Sequence, residues 1–555
     1  MSGKTHNLIL RFSFEIFGSA EILEFFLKYW AQKCKIPFFI HAQGDKGDKV
    51  ELYAQGDKEN LEDFSNVLAS KIPHLLFLRD TQVTLAEHLP QGAHLCQNFE
   101  NKEFRDFRIS QSHQPNSVAE STNLINQKMS SMSAQAKCNE AFAEPSGIHF
   151  REGDTIDGIA GTYLTPLGVE SGTNEFGSHA LDEVAKSLTQ AILQNKSAEF
   201  GDYTLRIFSD FSCDYIMPTH LSALAKMFVC DEASLVRLAS FEKPILSLRL
   251  SAIFRNAAPN APLFFDVRAC WDLSLKRVCE ALYKEGINFL GIESKARDLR
   301  ITQLENGFAI TQGMAFLDSK SRAFLDSHKE KNTALWELIK NEFLESRESV
   351  PYARAFFSIQ KRDYIFANRQ NKDYLVFKVP LPSSFEAIYE ELKKREGGER
   401  LLQNYQKAFE LPRGEFVSVG IAKIDNLYTL FLLLAKMLQF EGDFFALARD
   451  YGSVKGNKGV RIDFKLRDTN ELDCVRVIRS ALSFRLAGAS EGNIAFGCIE
   501  SLALFLSDFS DKLESEYGIT RLVCFGALFS HPTLANLTLK HTKITRISQR
   551  YPLEL

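Results

Sequence analysis

Three observations predict an α/β protein of several domains. The first 90 residues alternate strand and helix signals in the order β-α-β-β-α-β. Towards the other end, an amphipathic helix feeds directly into a short hydrophobic strand, as a buried sheet requires. The chain of 555 residues has length for about three or four domains. Each of these can bury about two-thirds to three-quarters of its surface without staples.

The elements follow in order. Residues 7–15 read as a strand, and EILEFFLKYWAQK (21–33) places apolar residues at helical spacing. IPFFIHAQ and KVELYAQ flank GDKGD, a hairpin connection. NLEDFSNVLASKI is a second helix and HLLFLRDTQVTL a last strand, completing a ferredoxin-like order in which two helices cover one sheet face. After about residue 105 the chain turns to Ser, Gln and Asn, in SQSHQPNSVAESTNLINQKMSSMSAQAK, which reads as a polar linker with few core anchors. SHALDEVAKSLTQAILQN then forms a helix with Leu181, Val184, Leu188 and Ile192 on one face. DEASLVRLAS is a shorter helix, KPILSLRLSAIF an extended run, and FFDVRACWDLSLKRVCEALYKEG a strand and a helix with a glycine stop.

Further on, Ser383 with Glu386 suggests a capping box for FEAIYEELKKRE, which Gly397 and Gly398 end. Asp468 with Glu471 suggests another opening, before LDCVRVIRSALSFRLAG. LYTLFLLLAKML (427–438) is too short to span a bilayer and reads as a buried helix. In the helix that precedes Gly518, Ile499, Leu502, Leu506, Phe509 and Leu513 line one stripe, and TRLVCF follows as a strand.

Composition narrows the function classes. A formal charge of -4 with 25% charged residues argues against a nucleic-acid binder. Ten cysteines occur with no two three apart, so no CxxC arm serves a zinc or a redox dithiol. They read as reduced small hydrophobes of a cytoplasmic protein, and the first twenty residues lack a signal-peptide core. GSVKGNKG (452–459) has glycines and lysines but not the Walker order, so it reads as a tight or mobile connection. No histidine lies between His328 and His531, which excludes an HxxxH metal helix in that stretch. Asp266 and Asp272 read as strand-end or surface acids.

Five stretches, in order, resemble the HypF carbamoyltransferase family of nickel–iron hydrogenase maturation. KVELYAQGDKENLEDFSNVLASKIP is similar to the second half of its acylphosphatase-like domain, and DEASLVRLASFEKPILSLRL to the end of its YrdC-like domain. LYTLFLLLAKMLQFEGDFFALA resembles the TsaD-like segment with a (Y/F)EG signature, through Phe440, Glu441 and Gly442. IAFGCIESLALFLSDFSDKL and VCFGALFSHPTL resemble the closing helix and the SGGVFxN strand-turn.

The resemblance implies a multidomain α/β chain. Its parts would be a ferredoxin-like (acylphosphatase-like) domain at 1–90, a polar linker at 91–145 as remnant of the zinc-finger region, a YrdC-like α/β domain at 146–300 and a TsaD-like (actin/ASKHA-type) domain at 301–555. It assigns no cofactor outright, ATP being the one an active member would use, and places a nucleotide cleft at Glu441, Gly442, Gly526 and His531, with catalytic residues unknown and no metal ligand assigned. Family members make a carbamoyl-adenylate from carbamoyl phosphate and ATP and pass the carbamoyl group to a partner's cysteine. Departures are systematic. The phosphate-binding loop arginine falls near Ile22, Leu23 and Glu24, and the catalytic asparagine near His41. The zinc-finger CxxC pairs are absent, GG becomes Gly526-Ala527, the closing asparagine becomes His531, and the metal-binding histidine motif has no counterpart. Glu441, Gly442, Gly526 and Phe529 survive.

The expected function is therefore an accessory protein of hydrogenase maturation on a catalytically degenerate scaffold. Its partners would be the hydrogenase large subunit or other maturation proteins, with no membrane insertion. The alternatives are an active ATP-dependent carbamoyltransferase and a nucleotide-binding protein of tRNA-modification type.

Overall fold

The structure, a computed structural model, describes residues 8–17, 20–43, 49–72, 74–96, 178–258, 260–314, 317–344 and 350–555. The polar linker from 97 onward and residues 146–177 of the expected middle domain lie outside these. The chain divides into two compact units, Met1–Arg300 with Gln312–Phe324, and Ile301–Thr311 with Leu325–Leu555.

In the first unit, β1 (Leu8–Ile16), β2 (Phe38–Gln43), β3 (Lys49–Gly56) and β4 (Leu78–Ala86) form an antiparallel sheet of order β2-β3-β1-β4. The helices Glu21–Lys33 and Lys58–Lys71 connect its strands in the expected order. Period-two alternation puts Phe12, Phe14 and Leu52 on the buried side, and Leu23, Leu27, Leu61, Phe64 and Leu68 are buried on the helices. Phe12 meets Phe64 edge-on at 5.8 Å. Asp57 caps the second helix through the Asn60 N–H.

The second sheet of this unit comprises β5 (Ser197–Phe200), β6 (Tyr203–Ile207), β7 (Tyr215–Pro218), β8 (Phe228–Val229), β9 (Leu246–Leu250), β10 (Phe264–Val267) and β11 (Phe289–Ser294), in the order β5-β6-β11-β7-β10-β9-β8. Only β7 and β10 pair in parallel. The helices Ser178–Asn195 and Leu273–Lys284 share one core with it, in which Leu188, Ile192, Leu275, Val278 and Leu282 meet Tyr215, Met217 and Ile292. Of the expected stripe, Leu188 and Ile192 are buried and Val184 is half-buried. KPILSLRLSAIF is not extended throughout: the strand ends at Leu250, Ser251 caps a short helix, and Ala252–Ala257 turns away. A serine hydroxyl reaching the Phe254 N–H competes with the ladder there.

β12 (Arg300–Leu304) and β13 (Gly307–Gln312) form a two-stranded sheet of which residues 301–311 belong to the second unit, and the second unit also holds a five-stranded sheet. That sheet holds β14 (Tyr352–Phe356), β15 (Tyr364–Arg369), β16 (Lys372–Lys378), β17 (Leu522–Phe525) and β18 (Thr545–Ile547), ordered β16-β15-β14-β17-β18. β14 to β16 form an antiparallel meander, while β14, β17 and β18 are parallel. The helices Leu427–Met437, Cys474–Leu486 and Glu491–Tyr517 contribute to one core with the sheet. Leu427–Met437 is buried as expected, and all five residues of the stripe Ile499 to Leu513 are buried. Glu491–Tyr517 has the length and apolarity to cross a membrane, but much of it is buried inside the protein.

Two caps differ from expectation. Ser384, not Ser383, caps Phe385–Lys393 through the Ala387 N–H, while Glu386 accepts from Gly414. Asp473, five residues after Asp468, caps Cys474–Leu486. Its carboxylate also takes a two-pronged bond from Arg395 at 2.9 and 2.6 Å, which no local spacing encodes. Gly397, at φ +70°, joins one helix to the next instead of only ending one.

Candidate functional site

The parallel strands β14 and β17 end side by side, with Phe356 opposite Phe525. The ends of strands in an open sheet are where ligands meet exposed backbone groups. β17 runs into Gly526, at φ +106° and ψ 150°, a conformation that only glycine adopts without strain. A Cβ there would lie 2.2 Å from the carbonyl oxygen of Phe357, so the residue is fixed by space as well as by torsion. The Leu528 N–H donates to that same carbonyl at 2.9 Å, and Phe357 stacks on Phe529 at 5.4 Å. The turns after β14 and β17 are thereby locked together.

Ser358 organises the turn after β14. Its N–H donates to Asp363 Oδ1 at 2.8 Å, and its hydroxyl oxygen accepts from the Gln360 and Lys361 amides at 3.0 Å each. Asp363 also accepts from the Leu427 N–H at 2.7 Å, at the start of the buried helix. Burial pushes the Asp363 carboxyl well above the usual carboxylate range, against those two amides and with the charge of Glu554 adding to the rise. Asn426 caps the same helix and donates to the Lys361 carbonyl at 3.0 Å. Glu554 bridges the two turns: Ser358 Oγ donates to its Oε1 and the Ala527 N–H to its Oε2, both at 2.8 Å.

The other expected residues lie around the turn that Gly526 opens. His531 closes it, donating its N–H to the Leu528 carbonyl. Its ring lies flat on Phe445, centroids 3.8 Å apart and planes 6° apart. Burial pushes the imidazole down to about 4, with Asp443 opposing and Arg449 adding to the fall, so the ring is neutral at pH 7. Phe445 sits on the helix Phe444–Gly452, capped by Asp443 and preceded by Glu441 and Gly442. The helix before them stops at Met437, so Glu441 stands in a bend and not at a helix end. Its N–H donates to Glu491 Oε2 at 3.1 Å and its side chain is exposed.

The structure thus joins His531 to Gly526 through one turn, and to the Glu441–Gly442 bend through Phe445. Sequence reasoning missed Ser358, Asp363 and Glu554. No spacing connects 358 with 554, and only the isolated acid in YPLEL offered a signal.

Other candidates resolve into structure. In GSVKGNKG and its continuation, the Gly459, Val460 and Ile462 amides donate to Glu500, Asn493 and Ser501 of the long helix at 2.8–3.0 Å. These donors are spent on a strap over that helix and not offered to an anion. Asp266 pairs with Arg300, and Asp272 caps Leu273–Lys284 through the Leu275 N–H. Glu24, at the expected position of the loop arginine, lies within the first helix and pairs with Lys28 at 3.5 Å, and His41 is exposed on β2. In the second sheet of the first unit, buried Arg268 pairs with Asp298 at 2.8 Å and lies over Trp271. Tyr203, Ser294 and Tyr215 also donate their hydroxyls to Asp298.

Among the described residues, no group of three or more His, Cys, Asp or Glu is placed to hold a metal ion. Nor do the strand-end residues fit a nucleotide phosphate as they stand, because the Glu554 carboxylate already takes the Ser358 hydroxyl and the Ala527 N–H.

No family model matches the chain. Protein HydE of Wolinella succinogenes is 24% identical over 357 residues, which cover 61% of this chain and 65% of that protein, less than two thirds of its length. Full-length HypF in a phosphate- and nucleotide-bound form aligns over 100% of this chain and 97% of its own, at 10% identity and a TM-score of 0.49. HypF of T. kodakarensis aligns over 98% and 96%, at 11% identity and a TM-score of 0.54. The last comparison shows a shared multidomain α/β fold.

Proposed function

We propose that this chain, a HypF-like relative of HydE, serves as an accessory protein in hydrogenase maturation and does not itself transfer carbamoyl groups. The likeness to HydE over 357 residues carries the maturation reading. The chemistry of the strand ends supports the loss of catalysis. Carbamoyl phosphate and ATP are both anionic and need arginines, amides or a metal focused on one cleft. Here the Glu554 carboxylate takes the donors of that place, and the histidine beside it is neutral and stacked.

The same reading extends to the parts. The four-stranded module is acylphosphatase-like without its phosphate-binding arginine, the seven-stranded sheet belongs to a YrdC-like domain, and the second unit is TsaD-like. Its partners are the hydrogenase large subunit or another maturation protein, in the cytoplasm.

The test is deletion of the gene, followed by hydrogenase activity and large-subunit processing, alongside an ATP-to-AMP assay of the purified protein with carbamoyl phosphate. Loss of hydrogenase activity without turnover in vitro is expected. Robust turnover would establish the carbamoyltransferase instead, and unaffected hydrogenase would end the maturation reading.

A further inference from the structure

The position of Glu554 carries a consequence for ligand access to the strand ends. Its two oxygens take one donor from each turn, the Ser358 hydroxyl and the Ala527 N–H. The Ser358 oxygen already accepts two amides, so its proton is directed outward to whatever sits between the turns. The segment around Glu554 is held in place by two backbone bonds and one to a side chain. Gly526 N–H donates to the Leu553 carbonyl at 2.7 Å, Leu553 N–H to the Ile310 carbonyl at 2.9 Å, and Leu555 N–H to Asn332 Oδ1 at 2.9 Å.

Among the described residues, the hydrogen-bond partners of the Glu554 carboxylate are Ser358 and Ala527, neither of them charged. A carboxylate seated on two convergent uncharged donors occupies the place of an oxyanion ligand. Lys361 and Arg362, exposed on the turn after β14, lie within four residues of Ser358.

We infer that the segment Tyr551–Leu555 is an internal occupant of an oxyanion site, with Glu554 excluding phosphoryl ligands from Ser358 and Ala527. The inference rests on reading this turn as a nucleotide cleft, and it adds that the cleft is closed by the chain's own carboxylate. A phosphoryl group would accept the same two donors once Glu554 is displaced or replaced.

The test titrates the full chain, E554A and E554Q with inorganic phosphate and separately with ATP by calorimetry. Amide exchange at Ala527 is followed in parallel. Wild type should bind weakly, and E554A roughly tenfold or more tightly, since a competing charge-assisted pair has gone. Ala527 exchange should quicken in free E554A and slow again with phosphate. E554Q keeps the size and loses the charge; it should move the same way and decides the matter if E554A fails to fold. Folded variants that bind no more tightly than wild type overturn the inference, as does wild-type binding that leaves Ala527 exchange unchanged. These readouts are independent of hydrogenase activity in the deletion strain, so failure here and failure of the maturation reading are separable.

Discussion

Replacing Gly526 with alanine tests the interlock on which the strand-end site depends. The added Cβ would lie 2.2, 2.6 and 2.8 Å from the O, C and N atoms of Phe357, all backbone. No side chain can swing aside, so β14 and β17 must part or the turn must change its torsions. Backbone strain at φ +106° costs about 1–3 kcal/mol, and forcing an atom into packed space a further ~1–3. The expected loss is roughly 2–6 kcal/mol, a large fraction of the usual 5–15 kcal/mol stability of a domain.

Trp336 stacks on Phe525 at 5.3 Å and reports this sheet directly. The other two tryptophans, Trp30 and Trp271, are replaced by phenylalanine so that Trp336 alone is read. Urea unfolding followed by its fluorescence should show the midpoint fall by roughly 0.7–3 M, at a slope of about 2–3 kcal/mol/M. A loss under about 0.5 kcal/mol would refute the close approach of Gly526 to Phe357.

Two further outcomes follow from the same unit. The pKa of His531 is about 4 in the fold against 6.5 as reference, so its contribution to stability is present above pH 6.5 and is lost as pH falls from 6.5 towards 4. The whole effect is of order 3 kcal/mol; H531F, which keeps the stack on Phe445, should flatten the difference between unfolding curves at pH 7.5 and pH 4.5. G459A would drive a Cβ to 2.3 Å from the Gly497 Cα and should cost at least ~2 kcal/mol by thermal or urea unfolding, because neither the strap nor the helix has a side chain to yield.

The sequence by itself determined the elements that depend on near neighbours. Helical spacing located Glu21–Lys33 and the buried stripe Ile499 to Leu513, alternation located β1 and β3, and a hydrophobic run ending at a glycine located β17. These signals are local because burial of a face repeats every two residues or every 3.6. Caps were legible only to within a few residues, since Ser383 and Ser384 are equally good acceptors until the backbone direction selects one.

The site was legible only in fragments. Gly526 and His531 were visible as residues of one turn, but their meaning lies in atoms distant along the chain. Tertiary structure alone decided that Phe357 leaves no room for a Cβ at Gly526, that Phe445 covers His531 and forces it neutral, and that Glu554 spans Ser358 and Ala527. The physical reason is that desolvation and charge–charge coupling depend on distances in space, whereas periodicity records only distance along the chain.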